Sequence, residues 1–590
     1  MKDFIKYTLA TVTGLVIVGV VLTVLSIVTI VGIVASTDAT TIVADNSVMT
    51  IELKGVMTER NEENPLNTLM GNDEGTIALE DMLKAIDMAK ADKNIKGIYI
   101  EAGAFSAGSP ASAQELRNKL AEFKKAGKWI ISYGDQYTQT AYYICSVSNK
   151  VLLNPIGTVD WRGLAAQPYF LKDLMAKFGV KMQLVKVGKY KSAPEMYTED
   201  KMSEPNREQV SAYINGIWNE MVKAVSESRK ISTTELNRIA DSGITFADSK
   251  EYLKTKMVDE LVYTGDIKNR IKKQLGIKED ETINQLSVSE MLNAPAEENT
   301  ADEKIAVYYA YGDIVDEVAA GFNNETCIVG SVVTKDLEEL ANDDDIKAVV
   351  LRVNSGGGSA YASEQMWNAV KELKKKKPVV VSMGGMAASG GYYMSCGANY
   401  IFAEPTTITG SIGIFGMIPD MSGLITDKLG VKFDEVKTNK YSAFGSPARP
   451  FNAEEIALLQ TNVNRGYDLF LKRVAQGRKM TTAQVDERAQ GRVWIGKDAI
   501  KQKLVDAMGS IDDAVKKAAE LAKIKDYNVE SYPANPSWID NILETAQGGN
   551  YLDEQLKATL GDYYQPFMMM KSLNKQNAIQ ARMTYDIIIR

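Results

Sequence analysis

A long apolar run near the N-terminus is the first feature of the hydrophobic pattern. Residues 9–34 carry no charge, and about 20 apolar residues are enough to cross the hydrocarbon core of a bilayer. Lys2 and Lys6 precede the run, and lysines beside a membrane segment favour its cytoplasmic side. The pattern therefore predicts a cytoplasmic N-terminus over 1–8 and an uncleaved, single-pass signal anchor, followed by an extracytoplasmic body. Small residues at 35–37 leave cleavage open as the alternative.

Beyond this run, short apolar segments alternate with stretches of helical spacing. Residues 348–353, 378–381 and 400–403 are apolar and rich in β-branched or aromatic side chains, whereas 363–375 repeats its apolar positions with a helical period. Alternation of strand and helix patterns is typical of an α/β fold. A longer helical pattern over 453–475 indicates that the later part of this region is mainly helical.

The body contains one pattern twice, at an offset of 250–251 residues. Ile95–Ile100 is matched by Ile346–Leu351, and Lys177–Lys181 is matched by Lys428–Lys432. Further matches in the same order are Ser132 with Ser382, Gly134 with Gly384, Tyr142 with Tyr392, Tyr143 with Tyr393, Asn149 with Asn399 and Pro155 with Pro405. Self-similarity at a fixed offset indicates a duplicated structural unit.

A polar stretch without periodicity separates the two copies and predicts a linker. We therefore expect a first repeat over 46–290, a linker over 291–304 and a second repeat over 305–526. The C-terminal tail over 527–590 has a pattern that predicts no particular place in the fold.

The composition excludes several classes of chemistry, chiefly because the chain contains no histidine. Catalytic arrangements that depend on histidine and histidine-rich zinc sites are therefore ruled out. A base working near neutral pH must be a carboxylate, a lysine, a tyrosine or a bound water. The net charge of −8 argues against a nucleic-acid partner. The three scattered cysteines fit neither a metal cluster nor a disulfide framework.

Two runs of small residues in the second repeat are the candidates for chemistry. Residues 354–359 read NSGGGS and residues 386–392 read MAASGGY, each after a strand pattern and before a helix pattern. Glycine turns can aim backbone N–H groups at a ligand, and Ser389 at a helix start feels the positive end of the helix dipole. Together they suit acyl transfer by a serine nucleophile. Tight turns with Ser389 as a helix N-cap are the alternative.

Comparison of the repeats helps to separate chemistry from fold. At the position of Ser389 the first repeat has Gln139, and at the position of Lys191 the second repeat has Ser442. A purely structural turn has little reason to differ so completely between two copies. Lys191 is therefore a candidate base, and to act it must be neutral, which requires a lowered pKa. A solvated surface lysine is the alternative.

The same residues resemble a known family, the long two-repeat form of signal peptide peptidase A, also called protease IV. The motifs that carry the resemblance are Asn354–Ser359, Ala387–Tyr393, Thr409–Gly416 and Tyr190–Ala193. The resemblance spans nearly the whole chain and implies tandem Clp-protease/crotonase-like α/β domains behind the transmembrane helix. It also implies a serine endopeptidase that degrades cleaved signal peptides and other hydrophobic peptides with no metal or cofactor.

By resemblance, the enzyme works at the outer face of the bacterial cytoplasmic membrane as a homo-oligomer, a tetramer in relatives. The resemblance also implies residue roles, with Ser389 as the nucleophile and Lys191 as the general base. The amides of Gly358 and Gly390 are then expected to form the oxyanion hole. The hydroxyl of Ser411 is expected to orient the lysine.

Two differences bear on this interpretation. The first repeat has Trp161 in place of Ser411, so one site per chain is expected. Gly356 stands where the family usually has proline, and the loss of that φ restraint affects the loop but no reacting group. A crotonase-like acyl-CoA enzyme and a catalytically inactive membrane scaffold are the alternative functions.

Overall fold

The structure, a computed structural model, describes five continuous stretches and scattered positions before residue 23. The stretches are 40–61, 77–295, 299–317, 327–534 and 579–583. Of the expected anchor over 9–34, some positions up to 22 are described and are helical, and the remainder lies outside the described residues. Among the residues that are described, no helix is both long and apolar enough to cross a membrane.

The first repeat is a parallel sheet covered by helices. Its strands are β1 (Ser47–Thr58), β2 (Ile77–Ala78), β3 (Ile95–Ser106), β4 (Trp129–Tyr137), β5 (Lys150–Val159), β6 (Lys181–Lys186), β7 (Glu260–Leu261) and β8 (Gln285–Leu286). Its helices are α1 (Leu79–Ala91), α2 (Pro110–Lys125), α3 (Gln139–Cys145), α4 (Lys172–Lys177), α5 (Glu195–Thr198), α6 (Glu204–Arg229), α7 (Thr233–Asp241), α8 (Ser249–Lys254), α9 (Ile267–Leu275) and α10 (Val288–Leu292). The strand order is β2-β1-β3-β4-β5-β7, with β8 beside β1.

The second repeat follows the same plan. Its strands are β9 (Lys304–Tyr311), β10 (Asp313–Val315), β11 (Cys327–Val329), β12 (Ile346–Ser355), β13 (Gly357–Ser359), β14 (Val379–Ala388), β15 (Tyr400–Ala403), β16 (Ile408–Gly410), β17 (Phe415–Asp420), β18 (Val493–Ile495), β19 (Ala507–Met508) and β20 (Asn528–Tyr532), and β21 (Ile579–Arg582) follows near the C-terminus. Its helices are α11 (Gly330–Asn342), α12 (Ala360–Lys376), α13 (Gly390–Ser395), α14 (Ala453–Arg478), α15 (Thr482–Arg488), α16 (Gly496–Ala499) and α17 (Ile511–Ala522). The main sheet has the order β18-β16-β14-β12-β9-β20.

The sequence of β12 is almost continuously apolar because the strand lies inside the sheet, between β14 and β9. Successive side chains of a strand point to opposite faces of the sheet. Ala348 and Val350 belong to the core cluster that contains residues of α17, whereas Val349 and Leu351 belong to the cluster that contains residues of α11 and α12. A parallel sheet with helices on both faces buries both sets of side chains.

A third sheet joins the two repeats. Its order is β11-β10-β13-β21-β17-β6, and β6 is contributed by the first repeat. β6 runs antiparallel to β17, with Lys186 opposite Phe415 and Lys181 opposite Asp420. Because β6 pairs with β17, the loop that follows β6 lies against the second repeat.

The described part of the C-terminal tail contributes two strands to the sheets. β20 lies parallel to β9 at the edge of the second-repeat sheet, so the tail begins as part of that domain. β21 lies between β13 and β17 in the joining sheet. The rest of the expected tail, 535–578 and 584–590, lies outside the described residues.

Candidate active site

Ser389 lies at the junction of β14 and α13, in a conformation that non-glycine residues rarely adopt. Its φ is 53° and its ψ is −110°, and its N–H donates to the carbonyl of Gly410 at 2.8 Å. Backbone strain of this kind clusters at functional sites and persists only where the surroundings impose it. The side chain is fully buried, so the turn holds the hydroxyl in one place inside the molecule.

The glycine turn over 354–359 packs against the start of α13. Gly357 has a φ of 100°, and a Cβ on it would lie 2.7 Å from the amide nitrogen of Gly390. A Cβ on Gly358 would lie 2.0 Å from the carbonyl oxygen of Ile314. Side chains are therefore excluded here, and the turn and the first residue of α13 come into close contact through their backbones.

Lys191 reaches this junction from the first repeat. Its Nζ lies 2.7 Å from Ser389 Oγ and 3.0 Å from both the carbonyl oxygen and the hydroxyl oxygen of Ser411. The side chain is fully buried. Burial disfavours the charged form of an amine and holds the pKa of Lys191 well below its ordinary value. Burial thus favours the neutral amine form of Lys191 beside the Ser389 hydroxyl.

The loop that carries this buried lysine is held from both repeats. Gln209 on α6 donates to the carbonyl of Tyr190 at 3.0 Å and to the hydroxyl of Ser192 at 2.8 Å, the residues on either side of the lysine. The oxygen of Gln209 accepts the N–H of Val493 at 3.1 Å. Val493 lies in β18, which pairs with β16, and β16 leads directly to Ser411. The buried side-chain amide of Gln209 therefore links the loop that carries Lys191 to the strand pair that leads to Ser411.

A buried group of charged residues joins the repeats next to the glycine turn. Arg352 of β12 binds Glu59 at 2.9 Å and Glu115 at 2.7 Å, and both carboxylates come from the first repeat. Glu59 also accepts from the side-chain amide of Asn354 at 2.8 Å, and the oxygen of Asn354 accepts the N–H of Met386 at 3.0 Å. The first repeat therefore positions both the glycine turn and the end of β14.

The C-terminal strand β21 covers the glycine turn. Ala581 lies opposite Gly358, and Gln580 lies opposite Phe415 on the other side. Ala581 is fully buried, and its carbonyl oxygen lies 2.0 Å from the place that a Cβ on Gly357 would occupy. An extended segment of the chain itself therefore fills the space beside the turn.

The corresponding place in the first repeat is filled by structural contacts. Gln139, at the position of Ser389, accepts the N–H groups of Arg162 and Gly163, both at 3.0 Å. Trp161, at the position of Ser411, is buried and donates its indole N–H to the backbone of the same repeat. Gln139 and Trp161 therefore make structural contacts at the place in the first repeat that corresponds to the candidate site of the second repeat.

The structure brings the five predicted site residues into one region. Ser389, Lys191 and Ser411 lie within hydrogen-bond distance, and Gly358 and Gly390 lie on the two adjoining turns. Over the described stretches, no group of three or more acidic or cysteine side chains is arranged to hold a metal ion.

Sequence reasoning does not identify Gln209, Glu59 or Arg352, which hold this region together. The contact between Arg352 and Glu59 spans 293 positions, and that between Gln209 and Val493 spans 284. No local motif records contacts over such separations. Arg352 alone leaves a signal, because a charge inside the apolar β12 pattern requires a buried partner.

Comparison with known proteins identifies one family in both repeats. The model described as peptidase family S49 matches residues 122–278 and 371–525. The model described as Clp protease matches residues 317–408. These matches confirm a tandem, Clp-protease-like α/β fold.

Several known proteins resemble most of the chain. Protease 4 of Salmonella typhi is 36% identical over 514 residues, which cover 85% of this chain and 81% of that protein. Protease 4 of Haemophilus influenzae is 34% identical over 538 residues, which cover 88% and 84%. The chloroplastic serine protease SPPA of Arabidopsis thaliana is 28% identical over 82% of this chain and 70% of its own length. Among solved structures, a mutant of the 1510-N membrane-bound stomatin-specific protease aligns over 40% of this chain and 100% of that chain, with 16% identity and a TM-score of 0.26.

Proposed function

The chain belongs to peptidase family S49 and is a serine protease of the signal peptide peptidase A type, and we propose that Ser389 is its nucleophile and Lys191 its general base. The observation that carries the proposal is the distance of 2.7 Å between Lys191 Nζ and Ser389 Oγ in a chain without histidine. Family membership favours this function over the acyl-CoA enzyme and the inactive scaffold.

The first chemical step depends on a neutral lysine. A neutral amine has two hydrogens, which suit the two oxygens of Ser411, and one lone pair, which suits the hydroxyl hydrogen of Ser389. Ser389 Oγ bonds to the carbonyl carbon of the substrate while its proton passes to Lys191. Ser411 keeps the lone pair directed at Ser389 and therefore acts as an orienting residue.

The second step breaks the peptide bond. The protonated Lys191 gives its proton to the leaving amine, and the acyl group remains on Ser389 as an ester. Water then attacks this ester with Lys191 as its base, which releases the carboxylate and restores the serine hydroxyl. The proton transfers of the cycle pass only between the two side chains, the substrate and water.

When Ser389 attacks, the oxygen of the substrate carbonyl becomes negatively charged. We assign the stabilisation of this oxyanion to the backbone N–H groups of Gly358 and Gly390. Gly390 opens α13, and N–H groups at a helix start have no carbonyl partner within the helix. The N–H of Met583 donates to the carbonyl of Gly356 at 2.6 Å. Hydrogen-bonded pairs alternate along an antiparallel ladder, so this register makes Gly358 and Ala581 a hydrogen-bonded pair. A substrate carbonyl at the place of Ala581 would be bound by the amide of Gly358.

An extended peptide is the substrate that this region suits. β21 occupies a gap one strand wide between β13 and β17, and main-chain hydrogen bonds on both sides would hold a peptide of varied sequence. The burial of Ala581 favours a small side chain at that position. We propose cleaved signal peptides and other hydrophobic peptides as the substrates.

The expected location and assembly are also proposals. The uncharged run over 9–34 supports attachment to the bacterial cytoplasmic membrane, and the lysines before it support an extracytoplasmic body. A homo-oligomer, a tetramer by resemblance, is the proposed working form.

A serine-reactive acylating probe and a peptide substrate test the assignment. Ser389→Ala should abolish labelling, and both Ser389→Ala and Lys191→Ala should lower kcat by about 10³-fold or more. Ser289→Ala and Lys189→Ala, which change exposed residues of the same types, should retain full activity. Normal turnover in either site variant with an unchanged melting temperature would disprove the proposed pair.

A further inference from the structure

The turn that follows α15, residues 489–492, is a part of the second repeat that lies against the buried lysine. The carbonyl of Gln490 accepts the N–H of Tyr190 at 2.8 Å. Gly491 has a φ of 77°, and a Cβ on it would lie 2.5 Å from the backbone nitrogen of Lys191. Glycine is the residue that allows such an approach at this φ. The turn therefore packs directly on the main chain of the lysine.

Arg492, the last residue of this turn, is bonded to both sides of the lysine site. Its carbonyl accepts the N–H of Ser411 at 2.7 Å, and the two oxygens of Ser411 bind the lysine amine. Its side chain donates to the hydroxyl of Tyr190, the residue before the lysine, at 3.0 Å. One residue thus connects the loop that carries Lys191 to the serine that orients it.

The guanidinium of Arg492 is fixed by rings and by charge. Its Cζ lies 4.8 Å from the centre of the Tyr190 ring and 4.6 Å from the centre of the Trp494 ring. It also pairs with Glu208 of α6 at 2.9 Å, and the same carboxylate accepts the hydroxyl hydrogen of Tyr190 at 3.0 Å. A planar guanidinium suits this place because it can stack on aromatic rings while it donates hydrogen bonds in its own plane.

The duplication provides a separate reason to assign Arg492 to the site rather than to the fold. The corresponding turn of the first repeat follows α7 and has Gly243, with a φ of 69°, in the place of Gly491. The next residue is Ile244 in the place of Arg492, and it belongs to the core of the first repeat. The turn therefore keeps its glycine in both copies, whereas the arginine occurs in the copy that meets the lysine.

We propose that Arg492 is a positioning residue for the reaction and holds Lys191 in contact with Ser389. This role rests on the proposed function of Lys191 as the general base and adds the residue that keeps the base in place. Without the guanidinium, the lysine loop loses its side-chain attachment to the turn over 489–492, and water gains access to the amine. A hydrated lysine is charged at neutral pH and cannot accept the proton of Ser389.

The pH dependence of cleavage by the full chain tests this role. Arg492→Met should lower kcat by about tenfold or more and leave KM within about twofold, because a small displacement of a reacting group is costly. Its kcat/KM should also begin to fall at a higher pH than in the wild type, since hydration brings the pKa of Lys191 closer to its ordinary value. A loss of folded protein alone would not move the midpoint of this profile. An unchanged midpoint in folded Arg492→Met would overturn the proposal.

Arg473→Met is the matched control. Arg473 is also partly buried, stacks on the indole of Trp367 at 3.9 Å and pairs with Glu364 of α12. Its replacement removes the same kinds of contact elsewhere in the second repeat, so kcat and the midpoint should stay at their wild-type values. An equal shift of the midpoint in both variants would contradict a specific role for Arg492.

Glu208→Ala decides the question if Arg492→Met does not fold. It removes an exposed carboxylate that pairs with the guanidinium, and it should move the midpoint in the same direction by a smaller amount. An unchanged midpoint would overturn the proposal here as well.

Hydrogen exchange in the Ser389→Ala background measures the position of the loop without catalysis. The backbone amides of residues 188–192 should exchange at least about tenfold faster after Arg492→Met than in the parent or after Arg473→Met, because the loop opens more often. Equal exchange rates would contradict the proposed attachment.

Lys191→Ala separates this role from the function on which it rests. An inactive Lys191→Ala beside a wild-type profile for Arg492→Met would remove the positioning role alone. Normal turnover by Lys191→Ala would instead disprove the reactive pair, and the role of Arg492 in the reaction would fall with it.

Discussion

At the scale of single residues, burial rather than a neighbouring charge sets the protonation of Lys191. Desolvation is what lowers its pKa, and each unit of lowering corresponds to about 1.4 kcal/mol. The two oxygens of Ser411 hydrogen-bond to the amine but carry no charge that would restore the proton. The fold therefore keeps a free base available at a pH where exposed lysines are cations.

We expect the pH dependence of cleavage to report this single amine. Below its lowered pKa, Lys191 is protonated and cannot accept the proton of Ser389. The ratio kcat/KM should therefore fall by about tenfold per pH unit on the acidic side. A profile measured with a non-ionising peptide substrate checks this, with folding followed by circular dichroism at each pH. Constant kcat/KM down to the pH of acid unfolding would contradict the role of the lysine.

Ser389 and Lys191 could be singled out from the sequence because the duplication provides an internal comparison. Each is replaced in the other copy, by Gln139 and Ser442. Residues nearby still align the two copies, since Tyr392 is matched by Tyr142 and Tyr190 by Tyr441. Gln209 could not be found in this way. Its function is to hydrogen-bond the backbone and side chains of distant segments, and no local pattern of residue types encodes such contacts.

At the scale of elements, no local sequence pattern predicts that β21 is inserted between β13 and β17. Its residues Ile579–Arg582 pair with β13 and β17, which lie more than 150 positions earlier in the sequence. Arg582 adds an ion pair with Asp313 at 2.7 Å. Several strands and helices of the second repeat could be predicted, because burial on one or both faces imposes a period on the sequence. A single strand inserted between two others carries little such information.

The position of β21 predicts that it competes with substrates. Ala581 is fully buried opposite Gly358, so Ala581→Trp should expel the strand because its ring has no room there. Labelling of Ser389 by the acylating probe should become at least about tenfold faster. Ala126→Trp, which enlarges an exposed alanine, serves as the matched control.

A binding measurement keeps this prediction independent of catalysis. In the Ser389→Ala background, a fluorescent peptide with the sequence of residues 577–583 should bind the Ala581→Trp chain more tightly than the chain with the native alanine. Intact mass is checked in each sample, so that loss of the tail by cleavage is not mistaken for displacement. Equal labelling rates and equal peptide affinities would show that the strand does not block the groove.

At the scale of the whole molecule, the repeats are joined by buried charges as well as by strands. Arg352 lies between Glu59 and Glu115, and all three side chains are at most 5% exposed. The pKa of Arg352 is raised by the two carboxylates despite its burial. A buried charge without its partner is far more costly than a buried pair. The correct arrangement of the two repeats is therefore the one in which the buried arginine is paired with both carboxylates.

Removal of the arginine should destabilise the chain strongly. We expect Arg352→Met to lower the free energy of unfolding by about 3–5 kcal/mol, since it leaves two carboxylates buried without a cation. The triple variant that adds Glu59→Gln and Glu115→Gln should recover much of this loss. Urea unfolding curves measure both, with Arg238→Met on an exposed pair as the control. A triple variant no more stable than the single one would contradict the electrostatic explanation.

On the proposed assignment, the origin of the two reactive side chains in different repeats also determines when the enzyme becomes active. Ser389 and Lys191 are 198 positions apart, and the lysine is enclosed by segments of the second repeat such as Gly413 and Gly491. During synthesis the first repeat emerges first, and its lysine is then hydrated and charged. Proteolytic competence therefore arises only when the second repeat has folded around that lysine. A nascent or truncated chain cannot attack its surroundings, so completion of folding itself serves the purpose that a removable propeptide serves in other proteases.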